Sequence, residues 1–110
     1  SFAIILKERQ EFIGEISLHL TGNQAAQLGY WVGEPFWNQG IATEAARVVL
    51  QFGFEKLELE KVIASHYRGN ESSGKVMTKN GFQQGKPTGN LVQYAIDKQA
   101  FTDFWLETSK

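Results

Sequence analysis

The chain has 110 residues, a net charge of −1 and no cysteine, with 42% hydrophobic and 13% aromatic residues. That is one domain with enough apolar mass for a core, and too little positive charge to grip nucleic acid or an anionic membrane surface. The missing cysteines exclude disulfides, thiolate metal sites and a cysteine nucleophile, which fits a reducing cytoplasm, and no apolar run approaches the roughly 20 residues of a membrane span.

Residues 2–7 are apolar and β-branched and read as a strand, since the start lacks the basic flank of a signal peptide. A mixed-sign turn, Lys7-Glu8-Arg9-Gln10-Glu11, follows. Across residues 12–20, Ile16, Leu18 and Leu20 alternate with Glu15, Ser17 and His19, the period of a half-buried strand. The short link predicts an antiparallel hairpin. Thr21-Gly22-Asn23-Gln24 turns the chain into a third strand over residues 27–32. Gly33 and Pro35 mark another turn, then a polar loop closes on Gly40 and a helix opens, fading near Leu57. Its expected buried face holds Ala42, Ala45, Val49, Phe52 and Gly53, with Ala46 and Val48 beside them. Glu44, Arg47, Gln51 and Glu55 form its polar face, where Glu44 and Arg47 are spaced to pair.

Residues 61–67 read as a strand, so strand, helix and strand make a right-handed crossover and a parallel pair. Asn70 is placed as the N-cap of a short helix, with Glu71, Ser72 and Ser73 in its first turn. Val76 and Met77 point inward, and Lys75 and Lys79 outward. Asn80-Gly81-Phe82 stops that helix, with Gly81 in the left-handed position and Phe82 packing back. A strand begins at residues 82–84, residues 85–90 are a hairpin loop, and residues 91–96 return as the last strand. Residues 98–107 fit a closing helix with Phe101, Phe104 and Trp105 on one side. The fold class is α+β, in the order β-β-β-α-β-α-β-β plus that C-terminal helix: a mixed, mostly antiparallel sheet with helices packed on it.

Residues 28–46 are the stretch with the clearest chemistry. A strand feeding a Gly-containing loop at a helix start aims several backbone N–H groups at one point, in the positive field of the helix dipole. That is an anion site, with phosphate the usual anion. The chain lacks a Gly-x-x-x-x-Gly-Lys-Ser/Thr or a full Gly-x-Gly-x-x-Gly pattern, which argues against nucleoside triphosphates and dinucleotides.

Two motifs stand in order: Trp37-Asn38-Gln39-Gly40-Ile41-Ala42-Thr43-Glu44-Ala45, and Asn70-Glu71-Ser72-Ser73 ending in Met77-Thr78-Lys79-Asn80-Gly81-Phe82. Together they resemble the acetyl-CoA-binding motifs of the GNAT superfamily of N-acetyltransferases, with the nearest likeness to the RimJ/RimL branch of ribosomal-protein-alanine acetyltransferases. The resemblance implies a sheet whose central parallel pair, here residues 28–32 and 62–67, splays into a V-shaped cleft. It implies acetyl-CoA as co-substrate, its pyrophosphate cradled by Gln39, Gly40, Ile41, Ala42 and Thr43, and its pantetheine arm paired with the strand edge at Trp31 and Val32. Asn70 and Ser73 would face the arm from the opposite wall. No metal is implied. The chain begins where the family's second strand would. Residues 1–110 are therefore expected to be a single GNAT-like domain lacking the usual first strand and first two helices.

Three positions depart from the family pattern. Asn38 stands where a loop glycine is usual. Met77 occupies the position of a Tyr general acid and cannot give a proton. Gln27 replaces a frequent Glu base. His66 is then a candidate general base, or a hydrogen-bonded strand histidine. Glu15 shares a strand face with His19 that lines either the acceptor side or solvent. Trp31, Phe36 and Trp37 read as packing around the loop or as a substrate wall. Glu44 either pairs with Arg47 or serves the pyrophosphate helix.

The expected function is a cytoplasmic, acetyl-CoA-dependent N-acetyltransferase acting by direct attack in a ternary complex. Its acceptor would be a small-molecule amine or a protein N-terminus. No nucleic acid or membrane partner is expected, and a homodimer is allowed. The alternative is a non-catalytic acyl-CoA-binding sensor or regulatory module. Binding of another phosphorylated ligand by the same loop is a third reading.

Overall fold

The computed structural model describes residues 2–6, 11–37 and 40–108. Six strands form one sheet in the order β1-β2-β3-β4-β6-β5. β1 (Phe2–Leu6), β2 (Glu11–Gly22) and β3 (Ala25–Val32) are an antiparallel meander, as the alternation predicts. β2 starts one residue earlier than expected, where Glu11 pairs with Leu6, and ends two later because the turn is tighter: Asn23 and Gln24 hold φ of 53° and 58°. Positive φ at both central residues is what a two-residue type I′ hairpin requires. The β1–β2 register shifts between Ile4 and Ile5, leaving Ile13 as the extra residue of a β-bulge. Lys7 and the rest of the predicted first turn through Gln10 lie outside the described residues.

A 3-10 turn at Glu34–Phe36, with Pro35 in its first positions, replaces the simple turn expected after β3. The helix α1 (Ile41–Glu55) and strand β4 (Lys61–Tyr67) follow, with β4 parallel to β3. Then come α2 (Glu71–Lys79), the two-residue β5 (Gln83–Gln84), β6 (Leu91–Asp97) and α3 (Lys98–Thr108). β6 pairs antiparallel with both β4 and β5. Among the described residues no helix is long and apolar enough to cross a membrane.

Burial alternates along β4: Val62, Ala64 and His66 are buried, while Lys61, Ile63, Ser65 and Tyr67 are exposed. One face of the sheet therefore carries the core. Phe54 of α1 stacks on Phe101 of α3 at 5.2 Å, and Leu50, Val62 and Ala26 are fully enclosed in the same cluster. The buried face of α1 corrects the sequence expectation. It consists of Ala46, Val49, Leu50, Gly53 and Phe54, whereas Val48 is 61% exposed. The run from Val48 to Phe54 offers two overlapping apolar stripes. The stripe that buries Leu50 and Phe54 removes more apolar area from water, and that rotation wins. Phe52 instead reaches the sheet margin, edge-on to Phe2 at 5.5 Å.

α2 ends as predicted. Gly81 has φ 89°, its N–H donates to the Thr78 carbonyl, and the Phe82 N–H donates to the Met77 carbonyl. These are the two bonds of a Schellman cap, which glycine enters without a Cβ penalty.

Candidate functional site

The parallel pairing of β3 with β4 covers three residue pairs, from Ala25 with Lys61 to Gln27 with Ile63. Beyond Gln27 and Ile63 both strands continue, to Val32 and to Tyr67, without pairing to each other. The gap is a cleft of about 570 Å³ walled by Tyr30 to Val32, by the start of α1 and by the first turns of α2.

The direction of the backbone groups along this edge follows from one bond. The Gly33 N–H donates to the Ile13 carbonyl of β2 at 2.8 Å. In an antiparallel ladder, alternate residues turn both main-chain groups to the same neighbour. Odd residues of β3 thus face β2, and Tyr30 and Val32 turn their N–H and C=O toward the cleft. The Val32 carbonyl is already taken: the Trp37 indole N–H donates to it at 2.6 Å.

α1 begins on Gly40, at φ 77° and ψ 0°, with no side chain capping the helix. The first N–H groups of a helix have no partner within it. Here Ile41, Ala42 and Thr43 line the cleft beside Gly40 and present those donors to it. Gln39, the remaining predicted cradle residue, and Asn38 lie outside the described residues.

The other wall is α2. Asn70 sits at its N-cap position, but its side chain makes no capping bond. Its Oδ1 accepts instead from the Ser72 hydroxyl at 3.2 Å, and Glu71 turns back to the Gly69 N–H. The expected side-chain cap is therefore corrected: Asn70 lines the cleft. Ser73 also lines it and hydrogen-bonds the Tyr30 hydroxyl across the opening. Burial raises the Tyr30 phenol above its usual range, with the Ser73 bond a smaller opposing effect, so this hydroxyl is neutral at physiological pH.

Two buried polar knots hold the walls in place, and neither was legible from the motifs. Asn80 is fully buried: its Nδ2 donates to the carbonyls of Thr43 and Val76, and its Oδ1 accepts from Arg47 Nε at 3.1 Å. Arg47 also donates to the Lys79 carbonyl and lies over the Phe104 ring at 5.5 Å. Arg47 thus ties α1, α2 and α3 together, which corrects its expected surface pairing with Glu44. The second knot is His66. Its Nδ1 donates to the Tyr67 carbonyl at 2.8 Å, and its Nε2 meets the Tyr94 hydroxyl at 3.0 Å. Gly74 of α2 lies against this pair, since a Cβ there would fall 2.5 Å from the Tyr94 oxygen. Burial first, then the negative charge of Glu71, raises the Tyr94 phenol.

The structure brings Val32, Gly40, Ile41, Ala42, Thr43, Asn70 and Ser73 together around one cleft. Trp31 also lines it, and its indole lies edge-on to Phe12 at 5.8 Å across the meander. His66 is buried beneath α2 with both ring nitrogens engaged. Glu15 is exposed opposite Trp31 on β2, and His19 is exposed opposite Gln27. Met77, at the acid position of the motif, is buried in the core. The sequence reading missed the parts played by Tyr30, Asn80 and Arg47, while Trp37, read as packing around the loop or as a substrate wall, lines the cleft. Tyr30 had a signal, for it shares the alternation of Leu28 and Val32. The others make contacts that no local pattern encodes. No group of three or more potential metal ligands gathers among the described residues.

A mixed sheet that splays at its central parallel pair, with uncapped helix starts on both sides of the opening, is the architecture of an acetyltransferase fold. The chain belongs to the GNAT acetyltransferase family: residues 1–83 match its "Acetyltransferase (GNAT) domain". It is 40% identical over 81 residues to the "Putative ribosomal N-acetyltransferase YdaF" of Bacillus subtilis (strain 168), covering 71% of this chain and 44% of that protein. A GNAT-family acetyltransferase from Bacillus anthracis superposes with a TM-score of 0.79 at 28% identity, over 88% of this chain and 65% of the other. RimJ of Mycobacterium smegmatis, solved with CoA-disulfide, shares the fold with a TM-score of 0.78 at 22% identity, over 92% of this chain and 56% of that one. The chain spans about half the length of the curated relatives it matches.

Proposed function

We propose that this chain is an acetyl-CoA-dependent N-acetyltransferase domain that passes an acetyl group to a primary amine by direct attack in a ternary complex. The observation that carries the reading is the splay: β3 and β4 separate after Gln27 and Ile63 and leave an unpaired strand edge next to an uncapped helix start. An edge of that kind accepts an extended arm as it would a further strand. The free N–H groups of Ile41 to Thr43 suit a pyrophosphate, and Gly40 keeps their approach clear. Gln39 is proposed beside them. Asn70 and Ser73 flank the arm from the opposite wall.

Acetyl-CoA supplies an activated thioester; the chain's own work is to bind, orient and exclude water. Main-chain N–H groups on the cleft side of β3 polarise a carbonyl placed against them. Much of the rate then comes from holding the amine at the thioester carbon. The C–N bond forms as the C–S bond breaks, and the proton lost by the amine ends on the departing thiolate. With Met77 in the core, the hydroxyls of Ser73 and Tyr30 are the proton-bearing groups proposed on the cleft walls. Glu15, on the opposite face of the sheet, is kept as a candidate base for an amine arriving from that side. His66 is proposed as a support for α2. The YdaF relative is named for ribosomal acetylation, and a protein N-terminus in the cytoplasm is the acceptor proposed first, with a small amine second.

One observation favours the other reading, a non-catalytic acyl-CoA-binding module: Met77 is buried and apolar where the family usually places an acid. Calorimetric titration with acetyl-CoA, followed by a screen of peptide N-termini and small amines for release of free thiol, separates the two. An enzyme binds and turns over. Binding without turnover on any amine favours the module, and absence of binding overturns both readings.

A further inference from the structure

We propose that Lys75 and Lys79 bind the ribose 3′-phosphate of acetyl-CoA and make the cleft select the phosphorylated co-substrate over its dephospho form; this rests on the acetyl-CoA reading above. The two lysines are the only charged side chains among the described residues that line the cleft. No carboxylate among those residues lines it, although the chain as a whole carries a net charge of −1. The sequence places both lysines on the outer side of α2, and both are exposed, but that side is the cleft wall. The helix itself does not ask for the pair. Like charges four residues apart repel on a helix surface. Lys79 gains from the dipole in the last turn, whereas Lys75 stands in the middle of α2. Glu71, the acid one turn before Lys75, turns its Oε1 to the Gly69 N–H.

The course of α2 decides which phosphate the lysines meet. The helix runs from the strand wall to the start of α1. Near its beginning Ser73 bonds the Tyr30 hydroxyl of β3. At its end Asn80 Nδ2 donates to the Thr43 carbonyl of α1 at 3.1 Å, and Arg47 of α1 donates to the Lys79 carbonyl. With a helical rise of 1.5 Å per residue, Lys75 stands about 3 Å and Lys79 about 9 Å beyond Ser73 toward α1. Both lysines are thus on the phosphate side of Ser73. The pyrophosphate has its donors in the N–H groups of Ile41 to Thr43, which need no side chain. The other anion of acetyl-CoA is the ribose monoester, which carries a charge of about −2 at neutral pH. It hangs from the sugar next to the pyrophosphate, so it stays near the mouth that α1 and α2 share. An ammonium on a flexible stem is a point charge with three donors, and two of them suit the oxygens of a monoester. The lysines act on affinity for the nucleotide end, away from the reacting thioester.

The test crosses two ligands with three proteins. Acetyl-CoA and acetyl-dephospho-CoA are titrated by calorimetry into wild type, into the charge-removing variant Lys75→Gln/Lys79→Gln and into the charge-keeping variant Lys75→Arg/Lys79→Arg. Melting temperatures are measured alongside; they should hold, because exposed lysines are replaced by good helix formers. The proposal expects wild type to bind acetyl-CoA about tenfold tighter than the dephospho form, the scale of two charge-assisted contacts that water partly screens. That preference shrinks as salt rises. In the charge-removing variant the two ligands bind within about twofold of each other, and the dephospho form binds as it does to wild type. The charge-keeping variant retains the preference. Equal affinity of wild type for the two ligands overturns the proposal. So does a charge-removing variant that keeps the preference, or one that loses affinity for both ligands alike, which would put the lysines on the pyrophosphate. If wild type binds neither ligand, the acetyl-CoA reading itself fails, and the proposal falls with it.

Discussion

α2 and α3 begin on residues of similar chemistry, Asn70 and Asp97, and use them in opposite ways. Asp97 Oδ1 accepts the Ala100 N–H at 2.7 Å, an ordinary N-cap three residues into the helix. Asn70 leaves its helix uncapped and engages Ser72 instead. The difference follows position. α3 starts at the closed end of the parallel pair, where the Lys98 N–H donates to the Glu60 carbonyl just before β4. α2 starts at the open end, in the wall of the cleft, and so does α1, also without a side-chain cap. Donors are satisfied internally at the closed end, and left open on the walls of the cleft. The C-terminus of α2 follows the first rule again, with a Schellman cap and the three bonds of Asn80.

Several substitutions break or sharpen this contrast. The largest effect is expected from Asn80→Ala. It removes three hydrogen bonds from a fully buried position, those to Arg47 Nε and to the Thr43 and Val76 carbonyls, and should cost about 2–4 kcal/mol in denaturant unfolding. A loss below about 1 kcal/mol would mean that the knot does not hold the helices. Gly74→Ala comes next: its Cβ meets the Tyr94 oxygen, and overpacking should cost about 1–3 kcal/mol. Adding Tyr94→Phe should recover part of that cost in a double-mutant cycle, because it removes the atom in the way. Gly40→Val forces a β-branched residue into the left-handed region, at about 1–2 kcal/mol, and should weaken acetyl-CoA binding by about tenfold or more. Gly40→Asn, which tolerates that region, should retain most of the affinity. The smallest effects compare the two helix starts directly. Asp97→Ala should cost about 1 kcal/mol, and Asn70→Ala no more than about 0.3 kcal/mol, while only the latter weakens acetyl-CoA binding. Equal stability losses would erase the distinction drawn between the two caps.

Much of this molecule could be read before its structure. Residues 61–67 were bounded correctly as a strand, and Asn80-Gly81-Phe82 announced the end of α2, because a short run with β-branched residues and a left-handed stop are local properties. α1 was placed along the chain but turned wrongly about its axis. Its apolar residues are too many to define one stripe, and what lies beneath them is set by other elements. The cleft lining around Gly40, Asn70 and Ser73 was legible because backbone donors at a helix start need no partner to be recognised. The bonds that hold the walls were not: Arg47 to Asn80 and Tyr30 to Ser73 join residues more than thirty positions apart, and Trp37 to Val32 depends on a 3-10 turn that the local sequence does not specify.

The central claim is that the edge of β3 beyond Gln27 is open because an acyl-CoA arm pairs there. Amide hydrogen exchange of the wild-type chain, followed residue by residue on saturation with acetyl-CoA, tests it most directly. The account predicts new protection at Tyr30 and Val32 and at Ile41 to Thr43, with Gly29 and Gly33, which face β2, little changed. Saturable binding that leaves the Tyr30 and Val32 amides exchanging as before would contradict it.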